Sequence, residues 1–405
     1  MAAAQLSAVA GGSGDKEAEY KALIEGYVSA QDDGAMRATI EHLIAGTAVS
    51  ATIKPKLMSH LIAGLPTCAP EKHEAVAEFF LQKINSSNTR AAHDRQVREL
   101  NENLGQLYEA AGDWTKAAKT LCKIPFNGVQ INMSEEDKLG AYVKIAELFL
   151  RSMNSLEAGT YINKALHELT QIQSPLERGQ LPPESVRKLK ARLEICVAKR
   201  DDLSGEYGKA AKAYEKLSRN SLAYELAGGQ AQLLKQAVLC ALLMPAGKAS
   251  KQLDVLSMDD RVNPEKTPEL AEIYPIMTKM HQERVMRAAD IESLLGHVQE
   301  HQRDSVRRSI KEHNLLAASK IYRNIAVDEL AQLLQIPALE AEQVAAGMMK
   351  EGRLSGSIDQ QSGSIEFEDV RADVSSWDAQ VKGLCEATNS VMASIQAKHK
   401  DYDLA

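Results

Sequence analysis

The stretch "NIAVDELAQLLQIP", residues 324–337, has the pattern of the first half of a helix-turn-helix. A polar start leads into a short helix with apolar residues at helical spacing, and Pro337 ends it. The next stretch, "PALEAEQVAAGMMKEG" (337–352), predicts a longer helix with Pro337 in its first turn. In many proteins a helix in this second position reads DNA, so the sequence raises the question of nucleic-acid binding.

The flanking segments complete a winged helix at about residues 305–370. Upstream, "SVRRSIKEHNLLAASKIYRN" (305–324) predicts an amphipathic helix, and downstream "RLSGSIDQQSGSIEFED" (353–369) alternates like two strands joined at "QQSG". The hairpin is the only β signal that we find in the chain. The apolar positions of the helix are Val306, Ile310, Leu316 or Ala317, and Ile321, and those of the hairpin are Leu354, Ile358, Ile365 and Phe367.

Charge argues against nucleic acid as the partner of this module. Residues 321–370 hold three basic and nine acidic side chains, and the candidate recognition helix begins with Glu340 and Glu342. Binding a duplex requires Lys or Arg at several phosphates. A basic stripe, Arg303, Arg307 and Lys311, lies on the preceding helix, and we interpret it as a solvated or protein-contacting surface. A winged-helix nucleic-acid-binding protein remains the alternative from a different class.

Helical repeats occupy the first half of the chain. "LGQLYEAAGDWTKAAKTLCKI" (104–124) aligns with "IAELFLRSMNSLEAGTYINKA" (145–165), and "EYGKAAKAYEKLS" (206–218) is a third copy of the second helix. The L-G-x-x-Y run from Leu104 to Tyr108, followed by Ala117, resembles the tetratricopeptide helix pair. Small residues let two helices approach, and each pair buries its face only against its neighbours. The sequence therefore predicts a mostly α fold, with a tetratricopeptide-like right-handed solenoid before the winged helix.

The last element is "SSWDAQVKGLCEATNSVMASIQAKHK" (375–400), a predicted long helix with a heptad seam. The apolar stripe either packs on its own domain or joins a bundle with helices of other chains. The candidate bundle residues are Trp377, Val381, Leu384, Val391 and Ile395.

Residues that could support catalysis do not form any familiar motif. The chain has no H-x-H, no H-E-x-x-H, no phosphate-binding loop and no nucleophile elbow, and we predict no catalytic, metal or cofactor site. His297 and His301 are one helical turn apart, but we interpret them as solvated. The five cysteines are widely spaced and predicted to be buried reduced thiols. No signal peptide or membrane span is evident, which favours the cytoplasm and nucleus.

Together, the solenoid, the acidic winged helix and the terminal heptad helix resemble the PCI-domain family. These proteins are scaffold subunits of the proteasome lid, the COP-nine signalosome and translation initiation factor three. The segments "EHNLLAASKIYRNIAVDELAQLLQIP", "GRLSGSIDQQSGSIEFED" and "WDAQVKGLCEATN" are most similar to the signalosome members. The expected domains are a disordered tail (1–17), a helical-repeat arm (18–198), a PCI domain (199–370), and a bundle helix with a tail (371–405).

The resemblance implies a non-catalytic scaffold and substrate-sensing subunit of the signalosome. That complex removes the ubiquitin-like modifier Nedd-eight from the cullins of cullin–RING ubiquitin ligases, and its zinc isopeptidase is on another subunit. Partners would be the other subunits, through the wing and the helix bundle, and cullin–RING ligases through the arm, with neither nucleic acid nor membrane. Subunits of the proteasome lid or of initiation factor three are the alternative. The implied wing-edge residues are Ser357, Ile358, Asp359, Ser364, Ile365 and Glu366.

Overall fold

The computed structural model describes residues 16–45, 50, 52–86, 93–126, 133–173, 182–368 and 371–398. The chain divides into two compact units, residues 1–233 and 234–405. Most of the predicted tail at 1–17 lies outside the described residues, and the first helix begins at Lys16. The boundary that we predict at 198/199 falls inside the first unit and stays a prediction about the limits of the PCI domain.

The first unit is built of helices that follow one another along the chain. They are α1 (Lys16–Ser29), α2 (Asp33–Ala45), α3 (Lys54–Gly64), α4 (Pro70–Ser86), α5 (Asp94–Ala110), α6 (Trp114–Leu121), α7 (Glu135–Arg151), α8 (Ser155–Gln173), α9 (Glu184–Leu203), α10 (Tyr207–Leu217), α11 (Ser221–Leu226) and the start of α12 (Gln230–Leu243). One hydrophobic core runs from Tyr20 to Cys196, as expected where each helix pair is buried by its neighbours.

The two predicted repeats are the helix pairs α5–α6 and α7–α8. The predicted third copy of the second helix is α10, and α9 precedes it, so that α9–α10 forms the third repeat. Their small residues, Ala117, Ala158 and Ala210, are fully buried, which confirms the alignment of the second helices. Gly105 in α5 allows a close approach of α6, because a Cβ there would lie 2.8 Å from Cδ2 of Leu121. The absence of a side chain at this position lets α6 pack directly on α5.

The turn inside each repeat has the same backbone shape. A residue in the left-handed region stands at the aligned positions Gly112, Met153 and Gly205, with φ of 78°, 60° and 77°. Glycine adopts this conformation without steric cost, whereas a residue with a side chain pays about 1–2 kcal/mol. Met153 therefore holds a strained backbone in the middle repeat.

The second unit continues α12 and ends in the winged helix and a long helix. Its further elements are α13 (Ser250–Ser257), α14 (Tyr274–His281), α15 (Ala288–His297), α16 (Arg303–Ile321), β1 (Asn324–Ala326), α17 (Val327–Leu334), α18 (Ala338–Lys350), β2 (Gly356–Asp359), β3 (Ser364–Phe367) and α19 (Arg371–Lys398).

The winged helix has the predicted three helices and one strand more than predicted. The residues that we interpreted as a polar start before the short helix form β1, which pairs antiparallel with β3 and aligns Ile325 with Ile365. The statement that the hairpin is the only β signal is therefore wrong, because three residues are too short a run to show alternation. The core of the module holds Leu315, Ile325, Leu330, Leu334, Ala341, Ala345, Met348, Leu354, Ile365 and Phe367.

One predicted core position of α16 is also wrong. Ile321 is 71% exposed, whereas Val306 and Ile310 are buried as expected. Ile321 is the last residue of α16, and the chain turns at Tyr322 into β1. Its side chain thus lies beyond the surface that the helix packs against.

Candidate protein-interaction surfaces

The sheet of the wing has the order β1–β3–β2, so its central strand has no free edge. Three of the predicted wing-edge residues, Ser364, Ile365 and Glu366, lie on that central strand and pair on both sides with β1 and β2. The side chain of Ile365 is also fully buried. An added strand cannot pair at these residues, since their backbone groups already have partners.

The other three predicted residues, Ser357, Ile358 and Asp359, lie on β2, which borders the sheet. The Glu368 amide donates to the Ser355 carbonyl at 3.2 Å, and in the same register Ser357 and Asp359 direct their backbone groups toward β3. The backbone amide and carbonyl of Ile358 therefore point away from β3. A row of outward backbone groups of this kind can accept a neighbouring strand.

The position of the wing depends on an ion pair. Arg353, just before β2, faces Glu312 in the middle of α16, with Nη1 2.6 Å from Oε2 and Nη2 3.1 Å from Oε1. The two side chains are only 8% and 10% exposed. Glu312 also accepts from the Ala246 amide at 3.2 Å, and Arg353 donates to the Ala246 carbonyl at 3.3 Å. One bidentate pair thus joins α16, the wing and the segment after α12.

Other buried polar side chains of α16 form hydrogen bonds with the backbone of distant segments of the chain. Ser309 donates to the carbonyls of Leu242 and Met244, at 2.7 and 2.9 Å. Asn314 exchanges two hydrogen bonds with the backbone of Met286, at 2.8 and 3.0 Å. These side chains satisfy carbonyl and amide groups that the surrounding helices leave unpaired. The sequence motifs did not reveal them, because their spacing resembles that of a solvated helix face.

The heptad seam of α19 is exposed along its length. Leu384 is 70% and Trp377 64% exposed, and Val381, Val391 and Ile395 are exposed as well. From Trp377 to Ile395 this apolar stripe spans about 27 Å of the helix, at about 1.5 Å per residue. Of the two interpretations that the pattern left open, packing of these five side chains on their own domain does not occur in this structure.

The residues around the candidate recognition helix do not provide a phosphate track. Each side chain of the basic stripe has a carboxylate partner: Arg303 lies 2.8 Å from Glu300, and Lys311 lies 2.5 Å from Glu340 at the start of α18. Arg307 lies 3.6 Å from Asp304. The paired stripe and the acidic first turn of α18 agree with the charge argument against nucleic acid.

Two family models match the chain, and together they cover both units. The model described as "PCI domain" matches residues 278–369, which include the winged helix. The model described as "PSMD12/CSN4, N-terminal" matches residues 15–225, more than half of the chain.

Full-length relatives point the same way. A protein of Drosophila melanogaster named COP9 signalosome complex subunit 4 is 32% identical over 362 residues, which cover 87% of this chain and 83% of the relative. The chain belongs to the COP9 signalosome subunit 4 family. Proteins of the same name are 30% identical in Arabidopsis thaliana, over 94% of both chains, and 31% identical in Dictyostelium discoideum, over 96% of this chain and 94% of the relative.

The names of these signalosome relatives and the PCI domain identify a non-catalytic type of subunit, as we predicted. One cluster could suggest otherwise: His281 Nε2 lies 2.9 Å from Asp254 Oδ1 and 3.5 Å from Ser257 Oγ. A catalytic triad needs the carboxylate and the hydroxyl on different ring nitrogens. Here both contact Nε2, so the cluster is a surface hydrogen bond between His281 and Asp254 with a serine beside it.

The histidines that we considered for metal binding do not form a site in this signalosome family member. His297 Nε2 lies 2.9 Å from Glu272 Oε2. In the part of the chain that the structure describes, no three His, Cys, Asp or Glu side chains are placed to hold a metal ion. Within the same residues, no helix is both long and apolar enough for a membrane span.

One cysteine departs from the expectation of five buried thiols. Cys68, Cys196 and Cys240 are buried and Cys122 is half-buried, but Cys385 is exposed on α19 beside Leu384. The apolar surroundings of Cys385 belong to the seam, which is itself exposed. The prediction is wrong at this position because apolar neighbours along a helix do not bury a residue unless another element covers them.

We predict that Arg353→Met lowers the stability of the wing by about 3–5 kcal/mol, because Glu312 keeps an unpaired buried charge. The double variant Arg353→Met/Glu312→Leu should lose less than the sum of the two single variants, with a coupling of about 1–3 kcal/mol. Hydrogen exchange of the β2–β3 amides measures both values. The matched control is the same double-mutant cycle at the exposed pair, Arg303→Met and Glu300→Leu, where the coupling energy should be much weaker. Equal coupling energies in the two cycles would refute the role of the buried pair in stabilising the wing.

A second prediction concerns pH. Burial lowers the pKa of His313 below its ordinary value of 6.5, and the neutral ring donates to the Arg284 carbonyl at 2.9 Å. Because the unfolded state then binds more protons in acid, the free energy of unfolding should be constant above about pH 6.5 and fall below it.

Urea unfolding followed by circular dichroism between pH 5 and 8 checks the sign. His313→Gln can still donate to Arg284 and should show a smaller loss in acid. The loss will not vanish, since burial also lowers the pKa of His73. The exposed histidine variant His167→Gln should keep the full loss, and a profile that rises in acid would disprove the assignment.

Proposed function

We propose that this chain is a non-catalytic scaffold and substrate-sensing subunit of the COP9 signalosome, the complex that removes Nedd-eight from cullins. The exposed apolar seam of α19 is the observation that carries the proposal. The support from relatives is that three proteins named COP9 signalosome complex subunit 4 match nearly the whole chain.

The seam is a surface built for other helices. Its apolar side chains recur at alternating spacings of four and three residues, which is the pattern that lets helices pack with side chains interlocked. Leaving Trp377 and Leu384 in water costs hydrophobic free energy that a bundle recovers, at about 25 cal/mol per Å² of apolar surface. We infer that helices of sibling subunits cover the seam and so recruit the chain into the complex.

The wing would provide a second contact with a neighbouring PCI subunit. Its free border at β2 has outward backbone groups at Ile358, between Ser357 and Asp359. A strand or extended segment of the neighbour can pair there. The ion pair between Arg353 and Glu312 supports this role, because it fixes the strand on α16 before any partner binds.

The helical-repeat arm would receive the cullin–RING ligase. A solenoid offers long continuous surfaces, and small shifts between successive helix pairs add up along it. We place the sensing role in the arm, and the working compartments in the cytoplasm and nucleus, from the resemblance to the signalosome family.

The alternatives have less support. A subunit of the proteasome lid or of initiation factor three would share the PCI architecture, but the matched relatives are named as signalosome subunits. The winged-helix nucleic-acid binder is disfavoured by the paired basic stripe and the acidic α18. Co-purification distinguishes the alternatives. A signalosome subunit should bring down other signalosome subunits and cullins, whereas a lid subunit should bring down lid subunits and an initiation-factor subunit should bring down ribosomal proteins.

The decisive variant is Leu384→Glu with Val391→Glu. Two carboxylates on the seam should prevent the chain from joining the complex, because a helix bundle cannot bury them unpaired. Co-expression with the other subunits, followed by size-exclusion chromatography, measures incorporation. Circular dichroism of the isolated variant should remain that of the wild type, since both positions are exposed.

The matched control is Asn389→Glu with Ser390→Glu, which adds the same charge on the opposite face of α19. This variant should enter the complex normally. If the seam variant assembles as well as the control does, α19 does not recruit the chain.

The wing border is tested by Ile358→Pro. Proline removes the outward amide of Ile358 and leaves the bonds between β2 and β3, so the fold should persist while binding of the neighbouring PCI subunit weakens. Ile358→Val, which keeps the amide, is the control. Pairwise binding to purified PCI subunits measures the effect. Equal binding by the two variants would refute the proposal that a neighbouring subunit pairs with the β2 border.

A further inference from the structure

The middle repeat departs from its two neighbours at the turn between its helices. The first and third repeats place Gly112 and Gly205 at the left-handed position, whereas the middle repeat places Met153 there. Three residues later the neighbours have Thr115 and Gly208, and the middle repeat has Leu156. Two small or flexible residues are thus replaced by two large apolar ones.

Packing within the chain does not account for this replacement. Leu156 is 85% and Met153 56% exposed, so most of their apolar surface lies in water. Met153 also holds a backbone conformation that glycine would adopt more easily. A strained residue whose side chain is mostly exposed is a reason to look for a function outside the chain.

The charge around the pair points to an interface. On the outer side of the second helices, Thr160 of α8 aligns with Lys119 of α6 and Lys212 of α10. Both lysines are exposed and have no ion pair among the residues that the structure describes. The apolar pair therefore lies in a repeat that lacks this cation, between two repeats that have it. Interfaces commonly have an apolar centre and a charged rim. The exposed charges nearest the pair in sequence, Arg151 and Glu157, fit such a rim.

We propose that Met153 and Leu156 insert into an apolar pocket on another subunit of the same assembly, and that carboxylates at the rim of that pocket face Lys119 and Lys212. The inference rests on the proposed function, which supplies the assembly. Two side chains cover a small part of the roughly 800 Å² that each partner buries in a standard interface, so they do not hold a dimer of this chain by themselves. A permanent subunit fits better than a transient substrate, because permanent interfaces are the more apolar ones.

The test restores the residues of the first repeat with Met153→Gly and Leu156→Thr. The isolated variant should unfold at a temperature about 1–4 °C higher than the wild type, since the strain is relieved and little buried surface is lost. Its dissociation constant for a subcomplex of the remaining signalosome subunits should rise about tenfold or more. Scanning fluorimetry and binding of the labelled full chain measure the two effects.

Leu166→Thr, at another exposed leucine of α8, is the matched control and should bind like the wild type. Lys119→Glu with Lys212→Glu should slow association and change dissociation little.

An unchanged dissociation constant or a lower unfolding temperature for the Met153/Leu156 variant would overturn the inference. Normal assembly with weakened capture of a cullin–RING ligase would assign the pair to the substrate instead. If the wild-type chain itself does not bind the subcomplex, the proposed function is overturned. The partner proposed for Met153 and Leu156 is then overturned as well.

Discussion

The buried pair between Arg353 and Glu312 is the interaction on which the second unit depends. Taking two charges out of water is costly, and the cost is recovered only where geometry is close and every remaining hydrogen-bonding group has a partner. Here both oxygens of Glu312 accept from Arg353, and the backbone of Ala246 completes the set. The requirement for such a fit specifies where the wing lies on α16, since apolar contacts alone tolerate small shifts.

The same helix holds the other irregular segments of the unit. Ser309, His313 and Asn314 bind the backbone carbonyls or amides of segments that are far away along the chain. The buried polar side chains of α16 therefore each have specific hydrogen-bonding partners in other segments. Under the proposed function, these bonds would hold the wing in a fixed position for a neighbouring subunit.

In the first unit the governing constraint is close helix contact. Gly105 and the buried alanines allow the paired helices to approach, and one core runs from Tyr20 in α1 to Cys196 in α9. Departures from the repeat are informative for that reason. Met153 and Leu156 are large and mostly exposed where the neighbouring repeats have glycine or threonine, and burial within the chain does not account for them.

The amino-acid sequence by itself determined the helical repeats, the winged helix with its hairpin, the long C-terminal helix and the acidic character of the module. These are local properties, because helical and strand periodicity and charge are readable over ten to twenty residues. The same reasoning missed β1, which is three residues long, and it placed Ile321 and Cys385 in a core where no element covers them.

Only the tertiary structure decided which strand lies at the border of the sheet, which buried charges pair, and which apolar faces stay exposed. Ser364, Ile365 and Glu366 resemble Ser357, Ile358 and Asp359 in sequence, yet one set is central and the other lies at the border. Arg353 and Glu312 are 41 residues apart, and neither has a pattern that indicates burial. Pairing and exposure depend on contacts between distant segments, and such contacts leave no mark in local periodicity.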